Sequence, residues 1–136
     1  MFSTILCPTD GSALSVKAAD KTLQFAKENG SKVFGLFVEE TFPYFPYGGY
    51  SDKERKAAHD SVQKITDRAA QLGVSYEPIF LESATPHEEI IKTAEKLQCD
   101  AIFMASHGAK GLDRLLLGSV TQKVLLDSTV PVVVLK

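Results

Sequence analysis

Two hydrophobic rhythms alternate along the chain. Short runs that are apolar nearly throughout recur at Phe2–Pro8, Lys32–Val38, Val74–Leu81, Ala101–Ala105 and Pro131–Leu135. Runs of this length and composition predict buried strands, the first ended by Pro8. Between them, apolar residues recur every three to four positions. The sets are Leu14, Ala18, Ala19, Leu23 and Ala26; then Ala58, Val62, Ile65, Ala69 and Leu72; then Ile90, Ile91, Ala94 and Leu97; then Val120, Val124 and Leu125. That spacing predicts four amphipathic helices.

Polar punctuation marks the helix ends. Ser12 is placed to cap the first helix, and Asn29-Gly30 stops it. Ser51-Asp52-Lys53-Glu54 reads as a capping box opening the longest helix, which Gly73 ends. Thr85-Pro86-His87-Glu88 reads as a second box with Pro at the first helical position, and Ser119-Val120-Thr121-Gln122 as a third. Asp127-Ser128-Thr129 closes the last helix.

Strands buried on both sides and joined by helical crossovers predict an α/β fold. It is a single open five-stranded parallel sheet with helices on both faces. Ligands of such sheets sit beyond the carboxyl ends of the strands, where strand order reverses. Three of the four loops there are unusual: Pro8-Thr9-Asp10-Gly11-Ser12, the aromatic stretch Phe42–Tyr50, and the loop from Ser106 to Ser119. Glu82-Ser83-Ala84-Thr85 reads as an ordinary connection. Special chemistry after the first and fourth strands makes those two neighbours, which favours the order 3-2-1-4-5.

The bulk numbers leave this picture intact and narrow its partners. The 136 residues are 44% hydrophobic and 24% charged, with a formal net charge of -2, and fit one domain, residues 1–136. Neither a basic run nor a stretch of about 18 apolar residues is present, so neither nucleic acid nor a membrane span is expected. Cys7 and Cys99 lack a CxxC partner and read as buried thiols of a reducing, cytoplasmic compartment.

The loop after the fourth strand carries phosphate-binding chemistry. A helix beginning at Ser119 presents unpaired N–H groups and the positive end of its dipole. Gly108 and Gly118 would let an anion approach the backbone closely. Asp10 either bonds a ribose hydroxyl or base, or stabilises its own turn. His107 faces a ligand or is a polar loop residue, and Lys110 is a solvated lysine near the loop. Neither GxxxxGK[ST] nor GxGxxG occurs. His59, His87 and His107 lack metal-ligand spacing, no metal site is expected, and no catalytic triad or carboxylate pair can be placed.

The segments Ile5–Ser12, Ala105-Ser106-His107-Gly108, Leu115-Leu116-Leu117-Gly118-Ser119-Val120 and Val130–Val134 together resemble the universal stress protein family, over essentially the full length. The resemblance implies a Rossmann-like, adenine nucleotide alpha hydrolase-like sandwich that forms homodimers through its last strand. Members carrying G-x2-G-x9-G-[ST] bind ATP. Nine residues separate Gly108 from Gly118-Ser119, so the first motif glycine falls on Ala105, and Gly111 stands outside the motif.

By position, the resemblance puts Pro8, Thr9, Asp10 and the backbone of Val38 around adenine and ribose. Met104 and Ala105 lie near the ribose. His107, Gly108, Gly118, Ser119 and Val120 surround the phosphates, which hold Mg2+. The implied function is an ATP-binding regulatory module of a stress response. It would act through nucleotide-dependent dimer or partner contacts, not as an enzyme, with slow hydrolysis at most. The alternative is a dimeric interaction or chaperone-like protein that works through the aromatic 42–50 loop without nucleotide. The homodimer is expected through Val130–Leu135, an apolar terminal edge.

Overall fold

The computed structural model describes residues 2–44, 49–108 and 117–136. The elements run β1 (Thr4–Thr9), α1 (Ala13–Asn29), β2 (Lys32–Glu40), α2 (Asp52–Leu72), β3 (Tyr76–Ser83), α3 (Pro86–Lys96), β4 (Ala101–Ala105), α4 (Ser119–Asp127) and β5 (Val132–Leu135). All strand pairs are parallel, in the order β3-β2-β1-β4-β5. The expected topology and strand order are those observed.

Side chains alternate across the sheet, as a period of two requires. Ile5 and Cys7 of β1 join Val33 and Phe103 on one face, packed against Leu23 of α1 and Ile65 of α2. Leu6, Leu36 and Ile102 point the other way, against Ile90 of α3 and Val124 of α4. The helices therefore divide into pairs by face. Among the described residues no helix is long and apolar enough to cross a membrane.

Several expected boundaries move. β1 continues through Pro8 to Thr9, pairing with β2 along its whole length. Its register with β4 covers Ile5–Ala101 and Leu6–Ile102. Pro8, which has no N–H to donate, lies past that paired stretch, so the sheet accommodates it. β3 is an edge strand with alternating exposure, and Phe80 on it is 43% exposed. Leu125 of α4 also faces out, at 39% exposure.

The caps differ individually. Ser12 Oγ accepts from Ser15 N at 3.3 Å and Ser51 Oγ accepts from Glu54 N at 3.1 Å, as expected. Thr85 makes no side-chain cap. Its own N–H donates to Ser83 Oγ at 3.0 Å, and its carbonyl takes the Glu88 and Glu89 N–H groups. Gly118 rather than Ser119 is the N-cap of α4, with no side-chain hydrogen bond there.

Cys7 and Cys99 are free and buried. Burial pushes the Cys7 thiol up to about 11 from 9.0, partly offset by its contact with Thr22. Above pH 9 the unfolded thiol ionises while the native one keeps its proton. The stability this group contributes is therefore complete below pH 9 and declines as pH rises toward about 11. Urea unfolding at pH 8 and pH 10.5 should show a decline that is smaller in Cys7→Ala, by on the order of 2 kcal/mol. Equal pH dependence in both proteins would contradict this.

Candidate functional site

β1 and β4 part at the carboxyl edge of the sheet. Their register ends at Leu6–Ile102, while β4 runs on beside β5 to Ala105. A cleft of about 630 Å³ opens between the loops that follow them, within the size range of small-molecule sites. The structure brings all eleven nominated residues to this cleft. Pro8, Thr9 and Asp10 come from the end of β1, and Val38 from β2. Met104, Ala105, His107 and Gly108 come from β4 and its loop, and Gly118, Ser119 and Val120 from the start of α4.

The first loop is locked by its own hydroxyls and carboxylate. Thr9 Oγ1 and Ser15 Oγ share a hydrogen bond of 2.8 Å, and Gly11 N donates to Thr9 Oγ1 at 3.2 Å. Ser12 N donates to Asp10 Oδ1 at 3.0 Å, so one oxygen of Asp10 holds a turn.

The other oxygen explains Gly108. A Cβ on Gly108 would collide with Asp10 Oδ2. A Cβ on Gly118 would stand 2.9 Å from His107 Cα and 3.0 Å from His107 Cβ. The missing side chains thus make room for the protein's own groups. The missing side chain of Gly108 lets the loops after β1 and β4 meet, and that of Gly118 lets the start of α4 pack on the segment leaving β4, while both glycines line the cleft.

Hydrogen bonds fix the start of α4 on β4. Gly118 N donates to Ser106 O at 2.8 Å, and Thr121 Oγ1 donates to Ala105 O at 3.0 Å. Ser106 N donates to Leu135 O at 2.9 Å. Ser106 Oγ lies 3.2 Å from His107 Nδ1. With Gly118 as the cap, no side chain occupies the first-turn N–H groups of α4. The helix end keeps its donors and its partial positive charge on the cleft.

The floor is apolar: Leu36, Val38, Ile90 and Met104 all line the cleft and belong to one core cluster. The wall formed by the second loop is acidic. Burial, then the carboxylates of Asp10, Glu39, Glu40 and Glu54, raise the Tyr50 phenol. The Arg55 guanidinium grips Glu39 with two bonds, Nε–Oε1 at 2.7 Å and Nη2–Oε2 at 3.2 Å. Among the described residues no group of three or more His, Cys, Asp or Glu could hold a metal ion.

Sequence reasoning missed one side of the cleft. The loop that reads as an ordinary connection supplies Ala84 and Thr85, and α3 adds Pro86, His87 and Ile90. Lys123 also lines it, four residues after Ser119 and so on the same helix face. That spacing, and Leu36 two positions before Val38 on its strand, were available signals. Phe42, Gly49 and Tyr50 line the cleft too. Phe45, Pro46, Tyr47 and Gly48, like Lys110 and Gly111, lie outside the described residues.

Known proteins share this architecture. The family model described as universal stress protein family matches residues 1–136. Universal stress protein MJ0531 of Methanocaldococcus jannaschii is 33% identical over 142 residues, covering 100% of this chain and 83% of that protein. The solved structure of MJ0577 from the same organism superposes with a TM-score of 0.83 at 31% identity, covering 100% of this chain and 96% of that one. A universal stress protein solved in complex with cAMP shares the fold, with a TM-score of 0.77 at 22% identity over 99% of this chain and 97% of that one.

The contact between the loops has a measurable signature. Gly108→Ala should destabilise the protein by about 1–3 kcal/mol. The same change in an Asp10→Ala background should cost less, giving a coupling of about 0.5 kcal/mol or more by urea unfolding. Additive costs would show that the two residues do not bear on each other.

Proposed function

This chain belongs to the universal stress protein family, and from that premise we propose that it is an ATP-binding regulatory module of a stress response. One observation carries the reading. The α4 N-terminus, without a side-chain cap, opens on the same cleft as the apolar floor and the Asp10 carboxylate. A flat apolar base suits the floor. An anion suits the helix end. A carboxylate between them suits sugar hydroxyls.

The residues fit such a ligand by their chemistry. Ser119, Val120 and Thr121 offer first-turn N–H donors to phosphates, and Lys123 adds a cation to that side of the cleft. Mg2+ would be held by the phosphates. Ala105 takes the first motif position, buried at the cleft with its carbonyl bound by Thr121. The cAMP complex of a fold relative supports nucleotide as the ligand class. The ends of the aromatic segment, Phe42, Gly49 and Tyr50, wall the same cleft. That favours this reading over a separate interaction surface on the loop.

Ser119 is the first residue of α4, where proline is tolerated, and Gly118 before it has the extended ψ of 156° that a following proline requires. Ser119→Pro therefore removes one N–H donor and keeps the helix. Calorimetry with Mg-ATP should show binding by the wild type and a loss of about tenfold or more in Ser119→Pro, with Ser119→Ala changed less. Absence of binding by the wild type would refute the proposal.

The homodimer belongs to the same proposal. β5 is the last strand of the sheet, and its outer edge has no strand partner among the described residues. Val132–Leu135 are all half-buried, and an apolar edge invites pairing with a second copy. Sedimentation at micromolar concentration should show a dimer, and a monomer would contradict it.

A further inference from the structure

We propose that His87 reads the base of the bound nucleotide and selects an exocyclic amino group over an oxo group. The proposal rests on the nucleotide reading above and assigns a role to a residue outside the family's motif.

The cleft has two chemically distinct ends. The N-terminus of α4 supplies the anion end. The other end is the apolar floor made by β2, α3 and β4. His87 stands in the first turn of α3, three residues before Ile90 and therefore on the same helix face. Ile90 is 3% exposed and forms part of that floor. His87 thus lines the cleft on the α3 side at the apolar end, where a base would lie.

The imidazole is poised for a new partner. Its side chain is 18% exposed, and among the described residues it makes no hydrogen bond. The charged group beside it is Glu88, with Oε1 at 4.0 Å from Nε2. With its proton on Nε2, the side nearer that carboxylate, a neutral imidazole offers Nδ1 as an acceptor. An exocyclic amino group donates to such an acceptor. An oxo group in the same place sets two acceptors against each other, and a polar site rejects that ligand strongly.

Adenosine and inosine triphosphates differ at this group, so their affinity ratio isolates it. With Mg2+ present, calorimetry should show the wild type binding ATP about tenfold or more tightly than ITP. His87→Phe keeps a flat ring without an acceptor and should bring the ratio within about threefold. His87→Gln restores an acceptor oxygen and should retain the preference. Thermal melts establish that each variant is folded. A wild-type ratio near one overturns the proposal, as does an undiminished ratio in His87→Phe. A wild type that binds neither nucleotide overturns the nucleotide reading itself. A wild type that binds both equally leaves that reading standing and removes only the role of His87.

Discussion

Close contact between the loops after β1 and β4 is the constraint on which the cleft depends. Gly108, after β4, rests on the carboxylate of Asp10, after β1, and within the β4–α4 connection itself Gly118 rests on His107. A side chain at Gly108 would push the two loops apart, and one at Gly118 would push the start of α4 off the segment leaving β4. The hydrogen bonds from Gly118 N to Ser106 O and from Thr121 Oγ1 to Ala105 O hold α4 where that contact puts it. The Asx turn at Asp10 holds the facing loop. A helix end is thereby aimed across the gap at the switch point of the sheet, rather than into solvent.

What that placement creates is a graded environment. Donors and helix dipole lie at one end, apolar side chains at the other, and acidic groups along the wall of the second loop. Few ligands satisfy all three. A nucleotide does, with its phosphates, base and sugar hydroxyls in separate chemical zones. The same grading explains why a glycine cap suits α4. A serine cap would occupy a first-turn N–H group that an anion could otherwise take.

The fold was legible because both hydrophobic periods are strong here. Strand order followed from reading which loops carried chemistry, and all eleven nominated residues meet in the cleft. Details set by tertiary packing were not legible. The neighbours that Gly108 and Gly118 must clear, Asp10 and His107, are brought against them only by the fold. Ser119 looked like a cap, but cap identity depends on the backbone angles of Gly118. His87 reads locally as part of a helix start, because only the fold brings the first turn of α3 to the cleft that Val38 also lines. Pro8 looked like the end of a strand, because only the sheet shows that the ladder to β4 has already stopped there.

On the proposed function, the uncapped first turn of α4 receives the phosphates. Amide chemical shifts of the nitrogen-15-labelled protein, followed as Mg-ATP is added, test it residue by residue. The N–H signals of Ser119, Val120 and Thr121 should move most, together with Gly108. Large shifts confined to other parts of the chain, with these amides unmoved, would contradict it.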